Sequence, residues 1–227
     1  MMHTFEYDNL KLKHRELRDQ FPTSLSLRTH RALSWLQRSE KENEDLDTQF
    51  ILLWISFNSA YAHEIQDIRT FSERRTQLNF IHRLIDSDKD NLLYKLIWKE
   101  FSKSIRLLIN NQYVYHPFWE FQRGSITEEQ WKKYFENDKA VAQKALSKMN
   151  TKKILAIILD RLYVLRNQLL HGGATWNGKV NRDQVRDGTN LMRNLVPIII
   201  HIMLESGNEL WGERMYKNLC NCLSLTP

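Results

Sequence analysis

Cysteine is scarce: the 227 residues hold two, Cys220 and Cys222. That spacing supports no disulfide framework, and no His or Cys stands near them at zinc spacing, so the expected setting is reducing and cytoplasmic. Glycine and proline are few, at 7 and 4 residues, which excludes collagen-like and low-complexity chains. Long apolar runs are missing too. The longest nearly apolar stretch, Leu195 to Leu204, is about half of what spans a bilayer, and Pro197 and His201 interrupt it. No apolar segment follows the charged start MMHTFEYDNLKLKHRELRD, so neither a secretory signal nor a membrane role is expected.

Several chemical signatures are absent as well. There is no GxxxxGK[ST] loop, no GxGxxG and no GxSxG, which leaves ATP-driven phosphoryl transfer, dinucleotide chemistry and serine hydrolysis without support. His63-Glu64 begins like HExxH but lacks the second His. The run DSDKDN at Asp86, Asp88 and Asp90 imitates a calcium loop, yet Asn91 and Ile97 occupy the positions that need Gly and Glu. It reads instead as a helix stop followed by an acidic first turn. No metal and no other cofactor is expected.

What the chain does have is 42% hydrophobic and 26% charged residues, enough for one domain with a full-sized core. Basic residues outnumber acidic ones by 33 to 27, a formal charge of +6 that permits an anionic partner without demonstrating one. Seven Trp and eight Tyr could stack on bases, although most such rings fill cores.

Three-four periodicity recurs along the chain and predicts an all-α fold. A helix is expected from Ser26 to Lys41, with Leu27, Ala32, Leu33, Trp35 and Leu36 buried. The next starts at Asp47 or Thr48, either of which could cap it, and presents Phe50, Leu53, Trp54, Phe57 and Tyr61 on one face. Ile51, Ile55 and Ala62 widen that stripe, which places this helix centrally. Further helices are expected over Ile68–Asp86 (including Phe71) and Asn91–Ile109. The aromatic segment Asn111–Arg123 reads as an ordered connection packed by its own rings. Thr127 and Gln130 have capping-box spacing at the head of another helix. The clearest pattern runs from Thr151 to His171 and stops at Gly172-Gly173. An apolar helix over Asp183–Glu205, bent at Pro197, and a last one over Asn208–Leu223 complete the reading. His201 is expected to be a core histidine.

One segment has the parts for phosphate chemistry: RNQLLHGG, with Arg166, Asn167 and His171 at the end of an apolar helix. At about 100° per residue, Asn167 and His171 share a face, and only a long side chain such as Arg166 could swing towards it. Arg can hold non-bridging phosphate oxygens and His can move a proton. The same residues near a helix end also suit the macrodipole and the free carbonyls, and taken alone a helix ending in R-x4-H is most often structural. The helix is too apolar to serve as a DNA-recognition helix.

RNQLLHGG resembles the R-x4-6-H motif of the HEPN superfamily. The upstream segment RALSWLQRSEKENEDLDTQFILLWISFNSAYA, with its W-I-x-F-N-x-x-Y pattern, is similar to the early core helix of ApeA-like HEPN domains. The two matches cover about a third of the chain. The resemblance implies a single-domain helical bundle that pairs as a homodimer and acts as a metal-independent endoribonuclease, in toxin–antitoxin, antiphage or RNA-processing systems. It implies that Arg166 and His171 are catalytic and that Asn167 takes the polar position after the Arg. Asn58, Tyr61 and Glu64 lie on the other matching helix without an assigned role. RNA is the implied partner, with an antitoxin or a nucleotidyltransferase as a separate protein partner. Some HEPN proteins are non-catalytic and bind a partner protein, nucleotide or RNA, and that is the alternative.

Overall fold

The structure is a computed structural model, and it describes residues 5–61, 73–179 and 181–207. Helices are the regular structure of these residues, with no strand among them. The helices are α1 (Tyr7–Leu17), α2 (Thr23–Glu40), α3 (Leu46–Tyr61), α4 (Glu73–Ser87), α5 (Leu92–Lys95), α6 (Ser102–Asn110), α7 (His116–Gln122), α8 (Glu128–Ser147), α9 (Thr151–Leu170) and α10 (Arg182–Glu205). None of the described helices is long and apolar enough to cross a membrane.

Helix α3 lies at the centre, packed chiefly against α2 and α10, and its Phe50, Leu53, Trp54, Phe57 and Tyr61 are all buried. The expected stripe therefore faces the core, while Ile51 and Ile55 are half-buried at its margins. Ala62 lies outside the described residues. The Ser56 hydroxyl donates to the Ala32 carbonyl at 2.7 Å and Arg28 Nε to the Ala60 carbonyl at 3.1 Å, so polar groups buried between α2 and α3 are paired. Helix α10 approaches closely at Gly188. A Cβ there would stand 3.1 Å from Leu162 and Leu165 and 3.2 Å from Phe50, which is why the smallest residue occupies the crossing.

Several expectations change in detail. Helix α2 begins at Thr23, and Leu27 and Trp35 are each 38% exposed rather than buried, because the α2 stripe through Leu25, Leu33 and Leu36 faces the core. Neither Asp47 nor Thr48 caps α3. Asp45 does, its Oδ1 accepting from the Asp47 and Thr48 backbone N–H groups at 2.9 and 3.1 Å. The expected Asn91–Ile109 helix is broken: a π-helical turn over Leu96–Glu100, closed by the Phe101 N–H donating to the Leu96 carbonyl, separates α5 from α6. The acidic run does act as a helix boundary, with both Asp88 carboxylate oxygens accepting from the first backbone N–H groups of α5 at 2.9 and 2.8 Å. Helix α1 was hidden in the sequence by its many charges, since only Leu10 and His14 are buried along it. Ile68, Phe71, the expected Asn208–Leu223 helix and both cysteines lie outside the described residues.

The aromatic segment forms a 3-10 turn (Gln112–Val114) and α7, and its rings pack together as expected. They also enlist α8. Tyr115 and Phe118 join Trp131 and Phe135 in an aromatic cluster separate from the main core. The capping box at Thr127 and Gln130 is formed in both directions. Helix α10 runs continuously through the buried Pro197, and His201 is half-buried with its ring edge-on to Phe5 at 4.8 Å. Burial lowers the His201 pKa, which favours the neutral ring.

Candidate functional site at the end of α9

Helix α9 is buried along much of its circumference: Ile154, Leu155, Ile158, Leu159, Leu162, Val164 and Leu165 all lie within the protein. The apolar breadth that drew attention to this helix is thus taken up inside one chain. After Leu170 the helix stops at His171, whose backbone N–H still donates to the Asn167 carbonyl at 3.0 Å. Gly172 follows at φ +72°, a left-handed conformation that glycine adopts without a Cβ penalty. The chain then folds back, and the Ala174 N–H donates to the Gln168 carbonyl at 3.0 Å.

Arg166 and Asn167 are brought together. Arg166 Nη1 donates to Asn167 Oδ1 at 2.9 Å, so the arginine has swung towards the face it could reach only through its length. Its guanidinium carbon sits 5.9 Å from the centre of the Tyr163 ring, one helical turn earlier. Arg166 Nε is buried and finds no hydrogen-bond partner among the described residues. His171 differs from both. It is exposed, and its ring makes no hydrogen bond or ion pair with any described residue. The helix rise of about 1.5 Å per residue separates the Arg166 and His171 backbones by roughly 7.5 Å along the axis. The set therefore offers a half-buried cation oriented by an amide, with an exposed imidazole just past the helix end. That arrangement can hold an anion at the guanidinium and exchange a proton at the ring.

The structure adds neighbours that the sequence pattern did not single out. Tyr163 supports Arg166 and is itself 6.1 Å, ring to ring, from the buried Trp54 of α3. The i, i+3 spacing of Tyr163 and Arg166 was the available signal. Gln168 is buried, donating to the Tyr113 carbonyl at 2.5 Å and accepting from Asn181 at 2.7 Å, so it locks the helix end to both flanking segments. Tyr61 is a core residue against Phe57 and Phe80, and Asn58 is half-buried on α3. His63 and Glu64 lie outside the described residues.

The loop after the motif is pinned to the head of α3. Trp176, though 74% exposed, donates its indole N–H to Asp45 Oδ2 at 2.8 Å. Asp47 accepts from the Asn177 backbone N–H at 3.0 Å and from Arg182 Nη2 at 2.8 Å. Burial pushes the Asp45 carboxyl up, but the hydrogen bonds from Trp176, the Thr48 hydroxyl and two backbone N–H groups outweigh it and hold the group below the ordinary carboxylate range. A carboxyl depressed on folding stabilises the fold above its unfolded pKa, and that contribution is lost as pH falls through the folded value. The Trp176 indole N–H resonance, identified by its absence in Trp176→Phe, should therefore hold its position near neutral pH and shift as the pH is lowered below about 4. A resonance that ignores acidification, or titrates identically in Asp45→Asn, would show that Asp45 does not hold the loop.

Among the described residues, no group of three or more His, Cys, Asp or Glu is placed to hold a metal ion. No family model, curated protein or solved structure matches the chain.

Proposed function

We propose that the chain is a metal-independent endoribonuclease of the HEPN type, with Arg166, Asn167 and His171 at its catalytic site. One observation carries the reading. Arg166 contacts only Asn167 and Tyr163 among the contacts seen for it, and the His171 ring bonds nothing described, so neither side chain serves the free carbonyls of the helix end. Capping the last carbonyls is therefore not what holds either residue here, and both side chains keep groups that a ligand could use.

In the proposed reaction the RNA 2′-oxygen attacks the adjacent phosphorus as its proton passes to a base. The bond from phosphorus to the 5′-oxygen breaks, and that oxygen takes a proton from an acid. The products are a 2′,3′-cyclic phosphate and a 5′-hydroxyl end. Arg166 stabilises the charge on the non-bridging oxygens, Asn167 fixes the guanidinium through its 2.9 Å hydrogen bond, and His171 transfers a proton. One imidazole does not readily supply both base and acid in a turnover, and a second copy of the chain brings the second His171. That shortage of proton carriers is the argument for a homodimer, since the apolar face of α9 is already occupied. Leu170 and Trp176, 42% and 74% exposed, lie one residue before and five residues after His171 in the chain.

The test is incubation of the purified protein with total RNA and a single-stranded oligonucleotide in EDTA, followed by end-group analysis. Cleavage leaving cyclic phosphate ends should persist under chelation, because Arg166 supplies the cation. Cleavage lost on chelation and restored by magnesium would contradict the mechanism. Intact RNA, with and without candidate partner proteins, would favour the non-catalytic alternative in which the module binds a protein, nucleotide or RNA. Light scattering at micromolar concentration should show a dimer, and a strict monomer would remove the composite site.

A further inference from the structure

Imidazoles stand at both interfaces of helix α1. The helix packs against α2 and α10, with Leu10 in the main core and Phe5 and Tyr7 against it. His14, on α1, is 2% exposed, and its Nε2 lies 3.3 Å from the Ser26 carbonyl of α2. A carbonyl only accepts, so Nε2 carries the proton of the neutral ring and Nδ1 keeps a bare lone pair. Nδ1 is buried and has no hydrogen-bond partner among the described residues. Protonation would create an N–H there with nothing to receive it, and a charge with no water to solvate it.

The neighbours of the ring add to that penalty. Lys11 and Arg18 face it from α1 and His30 from α2, its ring stacked at 6.1 Å, each a cation when charged. Arg15 adds positive charge beside Lys11. Burial first holds the His14 pKa below its ordinary value; the Ser26 hydrogen bond opposes this only in part, and Lys11, His30 and Arg18 reinforce it. Lys11 Nζ also stands 3.2 Å from His30 Nδ1. An ammonium only donates, so this contact too needs an unprotonated ring nitrogen.

On the opposite side, the half-buried His201 ring of α10 meets Phe5, two residues before α1. Lys13 of α1, ion-paired to Glu205, faces His201 as a cation, and Asp88 and Asp90 face it from the α4–α5 junction. Burial and Lys13 outweigh the two carboxylates, so this ring also resists protonation. Helix α3 and the whole of α9 contain no histidine, so nothing comparable stands at the centre of the bundle.

We propose that α1 is an acid-released arm: neutral His14, His30 and His201 let it dock on α2 and α10, and protonation frees it from a bundle that stays folded. A histidine depressed on folding contributes its stability in full above the unfolded value of about 6.5, and that contribution is lost as the pH falls from there towards the folded value. The window therefore opens just below neutrality. Glu40, which accepts from the Tyr7 N–H at 3.0 Å, has its carboxyl raised by burial, so its own protonation favours the folded state and opposes release.

Hydrogen–deuterium exchange of the full-length protein at about pH 7.5, 6.5 and 5.5, corrected for the intrinsic pH dependence of amide exchange, tests it. Each depressed histidine can lower protection by up to about tenfold per pH unit inside its window. The amides of α1 should lose about tenfold or more between the two extremes, while those of α3 and α9 keep their protection. His14→Gln keeps a side-chain N–H for the Ser26 carbonyl and cannot be protonated; His201→Phe keeps a ring against Phe5. In the double variant the acid-induced loss at α1, measured against its own value at neutral pH, should be several-fold smaller. Protection of α1 that ignores pH, that falls equally in the double variant, or that is lost together with that of α3 in one global transition would each overturn the proposal. If the double variant already exchanges freely at α1 near neutrality, the wild type decides by NMR. Opening of α1 should then coincide with titration of the His14 ring, and a ring that titrates while α1 stays protected overturns the proposal.

Discussion

Alanine at position 171 is expected to lower RNA cleavage by about 10²–10⁴-fold, the usual consequence of removing a positioned acid or base. Arg166→Ala should cost about 10²–10³-fold, because a charge stabiliser acts mainly on the transition state. Arg166→Lys should recover little of that loss. Lysine keeps the charge but lacks the planar fork that reaches both a phosphate and Asn167. Stability should respond differently. His171 is exposed with an unbonded ring, so its removal should change stability by no more than about 0.5 kcal/mol. Arg166 loses a hydrogen bond and its seat on Tyr163, about 1 kcal/mol. If the two residues served only the helix end, the pattern would invert: a lower melting temperature with no activity changed. Measured on purified wild type and variants against total RNA and a defined oligonucleotide, His171→Ala cleaving at the wild-type rate would end the catalytic assignment.

Trp54→Ala should be the most damaging single change to the fold. The indole is 2% exposed, and its ring lies 6.3 Å from Phe50, 5.5 Å from Phe57 and 6.1 Å from Tyr163. Emptying such a site costs about 3–5 kcal/mol through lost transfer energy and the cavity left behind. Against a total of about 5–15 kcal/mol that is a large fraction, and it should lower the melting temperature by on the order of 10 °C. Trp54→Phe keeps an aromatic ring in the same space and should cost clearly less. The effect reaches the candidate site, since Trp54 packs on Tyr163 and Tyr163 carries Arg166. Residual cleavage in the still-folded fraction of Trp54→Ala should therefore fall below that of Trp54→Phe. Calorimetry showing equal stability for wild type and Trp54→Ala would refute the central position given to α3.

The helical class, the core stripe of α3 and the stop at Gly172 were legible in the residues because each depends on local periodicity or local backbone freedom. Phe50, Trp54 and Phe57 recur at three- and four-residue intervals, and a left-handed turn after an apolar helix calls for glycine. The capping box at Thr127 and Gln130 was readable for the same reason, since both partners sit three residues apart. Helix α1 was not, because a charged amphipathic helix shows few apolar positions, and Leu27 and Trp35 looked buried only because hydrophobic residues were assumed to face inwards. Around the motif, composition and spacing could nominate Arg166, Asn167 and His171 but could not say what each touches. Packing decided that Arg166 turns to Asn167 over Tyr163 while the His171 ring stays unbonded. It also decided that Asp45, at the head of α3, holds Trp176 more than a hundred residues away, and that Gln77 of α4 and Arg161 of α9 line the same cavity. These contacts join segments far apart in the chain, and no periodicity within either segment encodes its partner.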